Sequence, residues 1–279
     1  MLVALASFSG VAIAGREAAR GATVLEMMFY RCLISLAVVA IVVHFGPGLR
    51  DMRTTRLPLH LVRGSVHFIA QYAWLSALTM IPLAQLFALE FTAPIWVAVL
   101  APLLLREKLT KLRLAAAVLG FTGTIIVAQP GSMSIGPGVG LALISAIGFA
   151  LSMLATKTLT KSESPLRILF YMFVVQAVMC TVLLFGGVRW PDAVTMFWIT
   201  MIALAGLSAH YSLARAFSLA DAILVAPMDF LRLPLIAVVG ALIYAEPLDP
   251  IVLIGGAVVI AGNVLNLWGE RRAKAAQAD

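Results

Sequence analysis

Acidic side chains are scarce in this chain: 13 Asp and Glu among 279 residues, with charged residues of both signs making up only 12%. Soluble domains carry about 25% charged residues, so an ordinary water-facing surface is excluded. Cysteine is nearly absent, and Cys32 and Cys180 each lie inside an apolar run, which provides no disulfide framework. The four histidines (His44, His60, His67 and His210) are too scattered for a His-Glu-x-x-His zinc site, and no Asp-rich motif or Ser/His/Asp set accompanies them. The chain thus lacks what an integral membrane enzyme needs, and no cofactor is expected. Gly136-Pro137-Gly138-Val139-Gly140 is not a phosphate loop, because no strand precedes it and no Lys-Ser/Thr follows. No nucleotide-binding motif is left to supply ATP drive.

What the chain has is hydrocarbon, with 62% hydrophobic residues and a mean hydropathy of +1.02. The lipid bilayer is the solvent that fits. Long apolar runs give spans at 2–15, 24–46, 60–80, 82–104, 112–129, 138–156, 166–187, 194–214, 222–245 and 250–268. Backbone groups in lipid must be satisfied within the segment, so these runs read as helices. Their continuous apolar content excludes the alternating pattern of a membrane β-barrel. Residues 2–14 imitate a signal peptide ending in Ala12-Ile13-Ala14, but no basic n-region precedes them and further spans follow. The first run is short for a hydrocarbon core of about 30 Å at about 1.5 Å per residue. A helix starting at the first residue, or a trimmed start, is therefore expected.

The net charge of +7 does not imply nucleic acid, because the basic residues sit in short loops between spans. One set of loops holds Arg50, Arg53, Arg56, Arg106, Lys108, Lys111, Arg113, Lys157, Lys161, Arg167, Arg215, Arg271, Arg272 and Lys274. The other holds Arg16, Arg20 and Arg189. Fourteen against three places both termini in the cytoplasm by positive-inside bias. The expected location is the inner membrane, crossed many times.

The pattern also occurs twice. Ala70 to Thr124 can be laid over Ala209 to Asn263 without a gap, at a constant offset of 139 residues. That register matches Tyr72 with Tyr211, Glu90-Phe91 with Asp229-Phe230, Glu107 with Glu246, and Gly123 with Gly262. Five spans per copy is odd, so the second copy must enter the membrane upside down. The expected fold is an all-α integral membrane protein of ten transmembrane helices in two inverted five-helix repeats, residues 1–130 and 136–268. A cytoplasmic tail, 269–279, follows. The break falls at the helix-stopping stretch from Gln129-Pro130-Gly131 to Gly136-Pro137-Gly138. Inverted repeats place a binding site near the midplane between the copies.

Two stretches carry a resemblance to a known family: Glu26 to Leu36 (EMMFYRCLISL), with an Arg early in the second span, and Trp74 to Gly131. The latter holds a tight third-to-fourth helix junction, a Pro-bearing fourth helix, the Glu107 loop and a Gly-rich fifth helix; Ala220 to Gly262 matches more loosely. In these features the chain resembles the drug/metabolite transporter superfamily, specifically its EamA-type members, over essentially its whole length. The resemblance implies transport of a small organic solute such as an amino acid, vitamin, nucleoside, sulfonium compound or cationic drug, and implies export.

A charge at the centre of a span costs about 2.5–3.5 kcal/mol, so each needs a reason. Glu90 and Asp229 lie deep in the fourth and ninth spans and are expected to contact a cationic or amine-bearing substrate or to carry a coupling proton. The alternative is ion pairing. Arg31 matches Glu90 in depth, and Asp229 and Arg232 stand three apart on one helix. Arg232, opposite Ala93 in the first copy, suits either a substrate carboxylate or a clamp on Asp229. In the third span His67, Gln71 and Trp74 share one helical face, with Tyr72 about 100° away; the eighth span offers His210 and Tyr211. Gln71, Trp74, Tyr72, His210 and Tyr211 are the candidate cavity lining, whereas His67 suits an interhelical hydrogen bond. Pro94, Pro102, Pro227 and Pro234 should kink the two acid-bearing helices. The expected function is secondary-active or facilitative transport of a small-molecule substrate by alternating access, with the lipid bilayer and, through Glu90 or Asp229, protons as partners. A passive channel is the alternative, and an integral membrane enzyme a remoter one. Oligomeric state is left open.

Overall fold

The structure is a computed structural model that describes residues 1–81, 83–107, 109–128, 136–185, 187–232 and 250–275. All regular structure among them is helical. In chain order the helices are α1 (Leu2–Ala18), α2 (Val24–Phe45), α3 (Leu57–Met80), α4 (Leu83–Glu90), α5 (Ala93–Leu105), α6 (Lys111–Ala128), α7 (Pro137–Leu159), α8 (Pro165–Leu183), α9 (Ala193–Leu219), α10 (Ala222–Val225) and α11 (Pro250–Ala275). Short 3-10 turns occupy Leu49–Met52 and Ala226–Leu231. By length and composition, α2, α7, α8 and α9 can each cross a membrane. Shorter apolar helical stretches cover Ala93–Leu105, Leu114–Ile126, Ala222–Leu231 and Ile254–Gly269. This is a multi-pass membrane protein.

Local sequence sets the helix ends. Thr23 and Glu26 form a reciprocal capping box at the start of α2, and Asp192 accepts the Val194 and Thr195 N–H groups at 2.9 Å to start α9. Pro137 and Pro165 open α7 and α8, where a missing N–H costs nothing.

The apolar run 82–104 is not one kinked helix but two. α4 stops at Glu90 and α5 starts at Ala93. Pro94 supplies no N–H for the carbonyl four residues earlier, that of Glu90, and its ring disfavours a continuous helix there. Thr92 turns its hydroxyl back onto the Leu89 carbonyl at 2.7 Å. Near Pro227 the chain likewise leaves α10 for the 3-10 turn that carries Asp229. Pro234, Glu246 and the break at residues 129–131 lie outside the described residues.

Helices pair across the chain: α1 against α9, α3 against α7, α2 against α8, and α6 against α11. At the last pair a side chain on Gly123 would come within 2.6 Å of the Gly255 carbonyl oxygen, and one on Gly262 within 2.9 Å of the Gly120 nitrogen. Only glycine permits that approach. Helix boundaries recur at the sequence offset of 139: α3 and α9 end at Met80 and Leu219, α4 and α10 begin at Leu83 and Ala222, and α6 and α11 begin at Lys111 and Pro250.

On one face a polar clasp ties the 3-10 turn to the α7–α8 loop. Glu163 accepts from the Thr54 hydroxyl and from Arg167 Nη1, each at 2.6 Å, and Arg167 Nε donates to the Asp51 carbonyl at 2.7 Å. Burial pushes the Glu163 carboxyl up, but the Thr54 and Arg167 contacts outweigh it and hold the group below its ordinary value of 4.5. A carboxyl lowered by folding adds stability that is fully present above its unfolded pKa and is lost as pH falls through the folded one. The melting temperature in detergent should therefore drop as pH falls below 4.5, and Glu163→Gln should flatten that drop. Equal acid slopes for both proteins would refute this role for the clasp.

Candidate functional site

Along α3, residues 63, 67, 71 and 74 are spaced by four, four and three, which sets them on one face. Arg63, His67, Gln71 and Trp74 accordingly all turn inward and line a cavity of about 80 Å³. Glu90 reaches it from the end of α4, Arg31 from α2, His210 from α9, and Asp229 and Arg232 from the segment after α10. Phe8 of α1 and Phe149, Ser152 and Thr156 of α7 stand in the facing wall.

One end of the cavity is an ion-paired knot. Arg232 Nη2 is bonded to Glu90 Oε1 and lies 3.6 Å from Asp229 Oδ2. Trp74 Nε1 donates to the other Glu90 oxygen at 2.6 Å. The guanidinium carbon of Arg232 stands 5.5 Å from the ring centres of Phe8 and Phe87 and 5.1 Å from that of Phe91. One cation is thus shared by two carboxylates inside a cage of three rings, an arrangement that offsets the cost of dehydrating it. Arg232 and Glu90 are 3% and 7% exposed.

Elsewhere in the wall the cations have neutral partners. Arg31 Nη2 donates to Gln71 Oε1 at 2.6 Å and to Gln176 Oε1 at 2.7 Å. Arg63 Nε donates to the Thr156 hydroxyl at 2.8 Å. His67 Nδ1 is 3.3 Å from the Ser152 hydroxyl, and its ring meets that of His210 edge-on at 4.7 Å.

Of the residues singled out from sequence, Glu90, Asp229, Arg232, Arg31, Gln71, Trp74 and His210 come together around this space. Tyr72 and Tyr211 do not. They are 39% and 47% exposed on the outer surface, because each follows an inward-facing residue by one position, about 100° of helical turn. Arg31 matches Glu90 in depth but bonds to the two glutamines instead, and it is Arg232 that holds Glu90. Sequence reasoning missed Arg63 and Gln176. Arg63 stands four residues before His67, and extending that row by one turn would have found it; Gln176, midway along an apolar helix, carried the signal of any buried polar group. Glu107 accepts the Ala222 and Ile223 N–H groups at 3.0 and 3.1 Å and so caps the start of α10.

Known proteins share both the fold and the sequence pattern of this chain. A crystal structure superposes with a TM-score of 0.81 at 16% identity, over 98% of this chain and 96% of its own, which establishes a shared fold. The chain is 26% identical over 248 residues to the S-adenosylmethionine uptake transporter of Rickettsia felis, spanning 89% of this chain and 84% of that protein. It is 30% identical over 253 residues to the riboflavin transporter of Brucella anthropi, covering 88% and 89%. It is 32% identical over 226 residues to the riboflavin transporter of Rhizobium johnstonii, covering 81% and 75%. The EamA-like transporter family model matches residues 1–129 and again 136–268. With that model covering nearly the whole chain and relatives named as transporters, the protein is a transporter rather than an enzyme, and the chain belongs to the EamA-like transporter family.

Proposed function

We propose that the chain is a secondary transporter that carries a small organic metabolite through this cavity by alternating access, with residues 1–130 and 136–268 as inverted five-helix repeats. The observation that carries this reading is the knot itself. Arg232 in the second segment holds Glu90 in the first, and each acid sits where its helix is interrupted. Such broken helices at a repeat interface form the binding sites of many transporters.

The pairing pattern supports the two-fold arrangement. Exchanging the segments turns the α1–α9 contact into α7–α3, and turns α2–α8 and α6–α11 into themselves. Glu90, Asp229, Arg232, Arg31, Gln71, Trp74 and His210 are the proposed substrate-binding groups. We place both termini in the cytoplasm and the protein in the inner membrane, on the strength of the loop arginines and lysines. Family resemblance speaks for export, whereas the names of the Rickettsia relatives speak for uptake. Proteoliposomes of known orientation decide between them. Glu90 and Asp229 are the candidate proton carriers.

The test is counterflow in proteoliposomes with S-adenosylmethionine, riboflavin, amino acids and organic cations, with and without a pH gradient. Saturable exchange of at least one solute is expected. Flux that rises linearly with concentration and shows no counterflow would replace the transporter with a channel. A response to the pH gradient that disappears in Glu90→Gln or Asp229→Asn would identify the coupling acid.

A further inference from the structure

Three guanidiniums (Arg31, Arg63 and Arg232) and two carboxylates (Glu90 and Asp229) line the cavity. Both carboxylates are engaged by Arg232. Among the described residues, neither Arg31 nor Arg63 has an acidic partner, although they are 1% and 3% exposed. Each is a buried charge that Gln71, Gln176 and Thr156 solvate but do not neutralise.

The unsatisfied atoms point the same way. Among the described residues, every buried side-chain atom left without a hydrogen-bond partner is a nitrogen. Arg31 Nε, Arg63 Nη1 and His67 Nε2 are three of them, and all three residues line the cavity. Among the described residues, the wall around Arg31 and Arg63 is short of acceptor oxygen and has no carboxylate left to pair with them. Two guanidiniums lining one cavity with N–H groups still unpaired supply the kind of donor that a carboxylate or a phosphate ester accepts from.

We infer that Arg31 and Arg63 form an oxyanion subsite, so that the transported solute carries a carboxylate or phosphate group bound there, with its remainder lying toward Trp74 and the Glu90–Arg232–Asp229 knot. This rests on the reading of the cavity as the transport site. Gln71 and Gln176 act on Arg31, and Thr156 on Arg63, as positioning residues that hold each guanidinium in place. A solute with a cationic group as well would set it against Glu90 and Asp229, at the opposite pole of the same cavity.

The experiment uses matched pairs that differ only in the anion: riboflavin 5′-phosphate against riboflavin for the phosphate arm, and an aromatic amino acid against its carboxamide for the carboxylate arm. Each competes in counterflow against whichever labelled solute the wild-type protein carries. In at least one arm the anionic member should compete about tenfold to a hundredfold better, the factor expected of a charge-assisted hydrogen bond. That arm names the group. Arg31→Gln and Arg63→Gln should each erase the preference between the two members of the pair, and Arg63→Lys should restore part of it. Equal competition within both pairs, a neutral member that wins, or pairs that do not compete at all against a carried solute would each overturn the subsite while transport stands. A wild-type protein that carries no solute saturably overturns the transport reading, and the subsite with it. Should the Gln variants fail to fold, the wild-type competition ratios decide by themselves.

Discussion

Arg232→Met should destabilise the protein by about 3–5 kcal/mol, because it leaves two dehydrated carboxylates without the one cation they share. Among the described residues, Glu90 and Asp229 are each paired with that guanidinium and with no other cation. Unfolding in mixed micelles measures the loss. The diagnostic is its reversal. Adding Glu90→Gln and Asp229→Asn to Arg232→Met removes the orphaned charges and should return most of the stability, although transport stays lost. Residues acting as one network are non-additive in this manner. A triple variant no more stable than Arg232→Met would mean that the three Phe rings around the guanidinium, rather than its charge, make the site rigid.

Pro94→Ala should act in the opposite sense. With an N–H restored at position 94, the Glu90 carbonyl regains its helical partner and α4 can run into α5. The gain is bounded by the roughly 3 kcal/mol that an interior proline costs a helix. A continuous helix would carry Glu90 away from Trp74 and Arg232, so turnover should fall about tenfold or more while the melting temperature rises. Unchanged turnover in a stabilised Pro94→Ala protein would show that the interruption does not take part in the transport cycle.

Hydropathy alone located most of the helices, because lipid demands long apolar runs and each run must begin and end where polar or helix-stopping residues allow. It could not locate the interruption at Phe91 and Thr92, since the apolar run passes through it. Pro94 was visible but read as a bend. Glu90, Asp229 and Arg232 announced themselves as costly charges, yet their pairing was only half legible. The Asp229–Arg232 contact is three residues apart on one element, whereas Glu90 and Arg232 are 142 apart. Matching Arg31 to Glu90 by depth used the one coordinate that a sequence provides. Depth says nothing about which way a helix is turned, and rotation decided the partner. Arg63 escaped notice because it stands one turn before the His67, Gln71 and Trp74 row, four residues from the nearest member.

The pairing of helices also has a consequence for biosynthesis. α1, α2, α3 and α6 each lean on a helix made later, so neither segment encloses its own polar groups. At about 5–20 residues per second, the 93 residues between Arg63 and Thr156, the 142 between Glu90 and Arg232 and the 145 between Arg31 and Gln176 leave roughly 5–29 s before each partner is made. For that interval Arg31 lacks Gln176, Arg63 lacks Thr156 and Glu90 lacks Arg232. The nascent first segment must therefore wait beside the insertion machinery, rather than in open lipid, until the remainder of the polypeptide arrives.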